Sequence, residues 1–324
     1  MSTLPGFTHL LVLPHLKVHN ANAVSSPLTH GFPSITAFLG LMWALERKTR
    51  QAAMDLEFGA IGVVCHDHQE QTTEGGFVKS FRLTRNPVGK DGKTAAIVEE
   101  GRIHLDLSLV LSVHAEAWDQ QTQDRDLRTL TDLLQGMRIA GGTLLPTAQQ
   151  LTPRDRPWVA PFTGSDDDQA REFRRLCARL LPGSVLVARD HLIDERLTAL
   201  QATDPDATRL DAWLSLSRIN WHHDAQANDG KSTWRSDRGK GSGWVVPIPV
   251  GYAALGKLHE AGSVPNARDS TTPFRFVESL YSMGEWIGPH RLRSPRDLLW
   301  YADSRPDEGL YRCRNDYPAA ITTL

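Results

Sequence analysis

Long apolar runs are missing from this 324-residue chain. No stretch approaches the roughly 20 consecutive apolar residues that a membrane-crossing helix needs, so no membrane association is expected. Pro5 and Pro14 interrupt the N-terminal segment, which has no basic start and no continuous apolar core, and no secretory leader is expected there. Cysteine is scarce. Cys65, Cys177 and Cys313 are far apart and odd in number, and none forms a Cys-x-x-Cys pair. That excludes a disulfide scaffold and a zinc ribbon, and it suits a reducing, cytoplasmic setting. An excess of one charge is absent too: 36 Lys and Arg stand against 38 Asp and Glu, a net charge of -2. On that total alone a nucleic-acid binder is disfavoured, since such proteins are usually basic. Internal repeats and low-complexity tracts are missing. So are the P-loop, the dinucleotide glycine fingerprint, Gly-x-Ser-x-Gly and His-Glu-x-x-His. Their absence removes the common signs of nucleotide hydrolases, dehydrogenases, serine hydrolases and zinc proteases.

What is present describes a folded α+β protein. Hydrophobic residues make up 40% and charged residues 23%, the balance of a globular chain. A first strand is expected over 8–18. A helix is expected over 34–49, with Ser34 as N-cap and Ile35, Phe38, Leu39, Met42 and Leu45 at helical spacing. Strands follow over 56–68 and 77–85, with Gly75-Gly76 as a hairpin signal between them. The run 102–116 alternates most clearly. A polar amphipathic helix is expected over 122–136, and "MRIAGGTLLP" reads as a strand kinked at Gly141-Gly142. This order suits a ferredoxin-like or RRM-like core over 1–146. The Pro-, Thr- and Gly-rich stretch 147–165 reads as a boundary. Residues 147–324 then form a helical addition and a mixed C-terminal part packed on the core. Within it 166–219 reads as mostly helical, "GWVVPIPVGY" as an edge strand because of Pro247 and Pro249, and 273–284 as an aromatic helix.

The charges are unevenly spread. Acidic "SDDDQ" (165–169) abuts basic "REFRRLCAR" (171–179), and "KSTWRSDRGKGSGW" (231–244) is basic apart from Asp237. Such local stretches suit one polyanion-facing surface on an otherwise neutral protein. The long polar connection from His19 to Pro33 also stands out. Connections of that length are usually functional or disordered, and Leu28 and Phe32 argue for an anchored one.

Several long segments carry a resemblance. "NANAVSSPLTHGFPSITAFLG", "LTRNPVGKDGKTAAIVEEGRIHLDLSL", "MRIAGGTLLP", "GWVVPIPVGY", "NARDSTTPFRFVESLYSMGEW" and "DLLWYADSRPDEGLYR" resemble, in this order, the RAMP-type subunit that caps the 5′ handle of the guide RNA in type I-F CRISPR surveillance (Csy) complexes. The resemblance covers nearly the whole chain; 147–165 and 221–241 match no family pattern. It implies an RRM-like core with a helical addition and a thumb-like projection. It also implies a grip on the 5′ handle of the crRNA, pairing with the large subunit and the backbone subunits, indirect contact with target DNA, no cofactor and no catalytic duty.

Against that expectation the residues sort as follows. Asn20, Asn22, Ser25, Ser26 and Thr29 offer neutral donors and acceptors for base edges and sugar hydroxyls, and Ser34 opens a helix N-terminus toward a phosphate. Without the resemblance the same stretch is a capped helix behind a structured turn. Arg82, Arg85, Lys90 and Lys93 mark 82–101 as the thumb, or as a solvated hairpin tip. Gly141 and Gly142 allow close backbone approach by RNA, or form a β-bulge, with Arg138 as a nearby phosphate contact. Arg268 and Arg275 bracket a loop suited to the handle or to another subunit. Arg171, Arg175 and Arg179 form one basic helical stripe, most simply a solvated face. "CHDHQE" would place His66, His68 and Glu70 on one face of a strand, but nothing completes a metal site, and none is expected. The competing function is a metal-independent RAMP endonuclease acting on CRISPR repeat RNA, with His19 and His30 as acid and base.

Overall fold

The computed structural model describes residues 3–82, 88–89, 91–94, 100–116, 118–146, 155–224, 233–238, 243–267 and 269–318. The first half holds β1 (His9–Asn22), β2 (Val24–Ser26), β3 (Thr29–His30), α1 (Ile35–Gln51), β4 (Glu57–Glu70), β5 (Thr72–Gly75), β6 (Val78–Phe81), β7 (Arg102–His114), α2 (Gln120–Gln135), β8 (Arg138–Ile139) and β9 (Gly142–Leu144). The second half holds β10 (Trp158–Pro161), α3 (Asp166–Arg179), β11 (Ser184–Ala188), α4 (His191–Gln201), α5 (Arg209–Leu216), β12 (Trp221–Asp224), β13 (Thr233–Ser236), β14 (Trp244–Ala254), β15 (Val277–Ile287), α6 (Pro295–Leu298), β16 (Trp300–Arg305) and β17 (Leu310–Asn315).

The protein is α+β, built on one eleven-stranded sheet. Its order is β11-β15-β14-β17-β16-β4-β7-β1-β9-β8, with β10 paired to β1. Every pairing is antiparallel. The path leaves β4 through β16 at Ile61 and returns to it through β11 at Val64 and Cys65, so the C-terminal strands close a ring on β4. Trp300 fills that ring. It is wholly buried, and its indole N–H donates to the Leu186 carbonyl at 2.8 Å, satisfying the one polar atom that burial would otherwise penalise.

Helices cover both faces. On one, Ile35, Phe38, Leu39, Met42 and Leu45 of α1 pack with Leu130 and Leu134 of α2 on Leu105, Leu107, Leu109 and Leu111 of β7. On the other, Phe173, Leu176 and Cys177 of α3 and Leu298 of α6 pack on Leu10, Val12, Val64 and Val110. A smaller cluster joins α4 and α5 to the ring through Ile193, Trp213 and Met283. Burying one such side chain contributes about 1.5–3 kcal/mol relative to exposure.

Five elements differ from the sequence-based expectation. β14, expected at an edge, lies inside the sheet between β15 and β17, because its prolines fall outside the short β17 pairing. The 273–284 stretch is strand, not helix: β15 pairs with β14 and β11. Its second half is buried on both faces, which removes the alternation that marks a half-exposed strand. "MRIAGGTLLP" is a hairpin, not a kinked strand. Ala140 at φ 48° and Gly141 at φ 79° form the two-residue left-handed turn that suits strand twist. The segment 166–219 contains the five-residue strand β11 between its helices. β1 runs four residues past its expected end, through irregularities at His15 and Asn20, both at positive φ.

Candidate nucleic-acid interface

Three segments far apart in sequence meet beside the sheet: residues 25–35, the end of β4, and the first half of β14. Between them lies a cleft of ≈ 700 Å³, in the range of ligand-binding pockets.

The first wall is an ordered hairpin rather than an open loop. Asn22 clasps the next turn, donating from Nδ2 to the Val24 carbonyl at 2.8 Å and accepting from Val24 N–H at 3.1 Å. Thr29 Oγ1 bonds to both Ser25 Oγ (2.8 Å) and Ser26 Oγ (2.6 Å) across β2 and β3. Gly31, at φ 102°, turns the chain toward α1. Phe32 then stacks on Phe38 and meets Trp286 edge-on, at centroid distances of 5.6 and 4.8 Å. Ser34 caps α1 by accepting from Thr36 N–H at 3.3 Å, and its hydroxyl also reaches the Pro249 carbonyl at 3.4 Å. Ser25, Ser26, Thr29, Ser34 and the Asn22 amide thus already have partners inside the fold, and Asn20 is exposed on β1.

The second wall is shaped by a bulge. Cys65 pairs with Leu107 and Asp67 with Asp106, which leaves His66 as the extra residue. His66 therefore turns to the Asp106 side, while His68 and Glu70 lie opposite Leu105 and Ile103. The three do not share a face as an unbulged strand would require. His66 Nδ1 donates to the Pro182 carbonyl at 2.6 Å, so its Nε2 accepts from Ser108 Oγ at 2.7 Å. Burial lowers its pKa, and both bonds suit the neutral ring. Glu70 instead bonds His30 Nδ1 at 2.9 Å. Among the described residues no group of three His, Cys, Asp or Glu is arranged to hold a metal ion.

The third wall is β14. Pro247 and Pro249 lie before its short pairing with β17, which spans only Gly251–Ala253, so their missing N–H groups break no ladder. Trp244 is 56% exposed and lies 6.5 Å, centroid to centroid, from the half-buried Trp286.

Of the residues singled out in the sequence as RNA contacts, only Ser25 and Ser34 line this cleft; His30, from the endonuclease alternative, and His66, His68 and Glu70, from the metal reading, line it too. The basic candidates lie elsewhere. Arg82 is exposed, with Nε donating to the Thr72 carbonyl at 3.2 Å. Lys93 is exposed beside Asp91, and Arg138 is exposed on β8. Arg275 donates to the Pro306 carbonyl at 2.9 Å. Arg85, Lys90 and Arg268 lie outside the described residues. Gly142 packs on the backbone of β1 at Ala21, and Gly141 forms the turn. The α3 stripe is engaged locally: Arg171 pairs with Asp168 (3.2 Å), Arg175 with Glu172 (3.5 Å), and Arg179 covers the Trp158 ring at 3.5 Å. His19 stacks on His104 at 4.4 Å, and its neighbour Asn20 donates its N–H to His104 Nδ1 at 3.1 Å. The two histidines of the endonuclease alternative thus have separate partners. Trp244 and Trp286 lie in apolar stretches, where Trp is usually packed; Pro247 and Pro249 are the sequence signal that the first half of β14 has no partner on one side.

Residues 11–313 match the family of CRISPR-associated protein Cas_Csy2. The chain belongs to that family. CRISPR-associated protein Csy2 of Pseudomonas aeruginosa (strain UCBPP-PA14) is 46% identical over 310 residues, covering 94% of each chain. The resemblance to a subunit of the type I-F Csy complex is thereby borne out, and all three walls of the cleft fall within the span matched to the Csy2 family.

Proposed function

We propose that this Csy2-family chain is a non-catalytic crRNA-binding subunit of a type I-F effector complex. It holds the 5′ handle of the guide RNA, pairs with the large subunit beside the backbone subunits, and meets target DNA only indirectly. The observation that carries this reading is the cleft. One of its walls is the 25–35 segment, which the family resemblance assigns to the guide.

The sheet order β4-β7-β1-β9, with α1 and α2 as the two connections, supports a ferredoxin-like core, and such sheets commonly present RNA-binding surfaces. The exposed Phe77 and Val78 in and beside the β5–β6 turn support a projection leading into 82–101. A further apolar group, Leu255, Leu258, Phe276 and Val277, supports docking on a protein subunit.

The test uses the chain copurified with its large subunit, incubated with repeat RNA in EDTA, with binding and cleavage both measured. Handle binding without cutting is expected. Replacing Arg82, Arg85, Lys90 and Lys93 by Ala should shallow the log–log salt dependence by about 0.7 for each phosphate no longer neutralised, irrespective of RNA sequence. Cutting that disappears on His30→Ala or His19→Ala would establish the endonuclease instead, and absence of handle affinity would end both.

A further inference from the structure

The cleft is poor in cations. Lys79 is its single Lys or Arg among the described lining residues, and it is paired with Glu74 at 2.8 Å. Asp67 and Glu70 stand against it, and burial keeps His66 neutral. The N-terminus of α1, which could attract an anion, is already capped by Ser34. A phosphate finds no built cradle here.

Acceptor capacity, by contrast, is left over, and two engaged carbonyls of β14 show which way the next one points. Arg238 Nη1 donates to the Val245 carbonyl at 3.3 Å, and Ser34 Oγ to the Pro249 carbonyl at 3.4 Å. Alternate carbonyls of a strand point the same way, so Pro247, between them, also presents its carbonyl away from β15, and it has no N–H to offer. Asp67 and Glu70 also line the cleft; Asp67 Oδ1 accepts from His68 N–H and Glu70 Oε1 bonds His30, which leaves the second oxygen of each carboxylate as an acceptor. Beside them Trp244 offers an exposed indole face, backed by Trp286.

We infer that the cleft receives one unstacked base of the guide's handle, stacked on Trp244, and that it selects a base whose pairing edge carries an amino group at C6 of a purine or C4 of a pyrimidine, adenine or cytosine, while the phosphates stay outside. This deepens the proposed function and rests on it. An amino group donates to the acceptors of the cleft. The corresponding edge of uracil or hypoxanthine presents a carbonyl there, acceptor facing acceptor, and a polar group desolvated without a partner is penalised. Aromatic platforms hold bases of any sequence, so selectivity comes from the acceptors and affinity from the indole.

The test uses the chain copurified with its large subunit and a set of handle RNAs. In each RNA one adenosine is replaced by purine riboside or inosine, or one cytidine by uridine. At one position the replacement should weaken binding about tenfold. Trp244→Ala should weaken the unmodified handle by about tenfold or more, with Trp244→Phe largely restoring it. In the double variant Asp67→Asn/Glu70→Gln, which preserves side-chain volume, the discrimination at that position should shrink markedly. Handle binding in the wild type with no position sensitive to loss of the amino group would overturn this inference and leave the proposed function standing. Absence of handle binding in the wild type would overturn both. If the double variant instead loosens the large subunit while base discrimination persists, the acceptors serve a basic side chain of that protein, and the inference fails.

Discussion

Gly142 offers a direct trial of whether the glycine pair in "MRIAGGTLLP" serves the fold. A Cβ built on Gly142 would lie 2.7 Å from Ala21 N, 2.7 Å from Val18 Cγ1 and 2.8 Å from Ala21 Cα. Two of these three atoms are backbone, so the neighbour cannot swing aside. It would have to drag β1 from its pairings of Val18 with Leu144 and His19 with Thr143. Overpacking of this kind costs about 1–3 kcal/mol. A rigid neighbour puts Gly142→Ala near the upper end, about 2–3 kcal/mol. Gly141 differs: its Cβ would meet nothing within 4 Å, but its φ is 79°. Gly141→Ala therefore carries only the left-handed penalty, about 1 kcal/mol once the stiffer unfolded chain is counted. For a chain of 324 residues, about 2.1 cal/mol/K per residue converts 1 kcal/mol to roughly 1.5 °C. The expected falls in Tm are about 3–4.5 °C for Gly142→Ala and about 1.5 °C for Gly141→Ala. Scanning calorimetry of both variants, with hydrogen exchange over 18–22 and 142–144, reads the difference. A Gly142→Ala protein as stable as the wild type would refute the packing argument. If that protein had also lost RNA affinity, the glycine would be serving the ligand.

Three other outcomes follow from single residues. Burial holds the His66 pKa below its ordinary 6.5, so near that pH the unfolded chain binds more protons than the folded one. The His66 contribution is therefore present above about pH 6.5 and is lost as pH falls through the lower folded value; urea titrations from pH 7.5 to 5 should show His66→Gln with a shallower decline than the wild type. Burial pushes the Cys65, Cys177 and Cys313 thiols up to about 12, with Asp67 adding to the effect at Cys65, so maleimide at pH 8 should label the native protein slowly and the unfolded protein at three sites; fast native labelling of Cys177 would contradict the packing of α3. Asp303, fully buried, accepts two bonds from Arg305 and one from Arg314 at 2.6 Å. Asp303→Ala should cost about 3 kcal/mol, the low end for a broken buried pair because both arginines reach solvent, and a variant within 1 kcal/mol of the wild type by denaturant titration would show that they re-pair elsewhere.

Where one face of an element meets solvent, its sequence was readable. Ile35, Phe38, Leu39, Met42 and Leu45 repeat at helical spacing, and all five are buried in α1; Ile103, Leu105 and Leu107 alternate and are buried in β7. The pattern failed where both faces are covered. The buried half of β15 holds Ser282, Met283, Gly284 and Glu285 in succession. Glu285 is an acid that no hydrophobic template expects inside, and it is held there by Arg189 and Arg291. Gly284 was a usable sign. A Cβ on it would lie 2.9 Å from both Ile248 and Leu186, the close approach of neighbouring side chains that a glycine inside a strand often marks. The short strands β10 and β11 have four and five residues, too few for any period to register.

The candidate site was legible as a segment but not as a surface. The connection from His19 to Pro33 stands out for length and polarity, and its later part, with Ser34, does form a wall of the cleft. Its hydroxyls looked like free readers of RNA because a sequence shows which groups can bond, not whether the fold has already used them. Thr29 Oγ1 is taken by Ser25 and Ser26, and Ser34 by Thr36 and Pro249. The contact between Ser34 and Pro249 joins residues 215 apart, and no local pattern foretells it. A one-residue bulge at His66 likewise turns the "CHDHQE" histidines to opposite faces, which removes the metal reading and leaves Glu70 facing the cleft beside His30. Recognition needs bonding capacity that the fold has not spent. On that ground the Pro247 carbonyl and the exposed face of Trp244, unremarkable in sequence, carry more of the argument for a base-binding cleft than the serines that first drew attention to it.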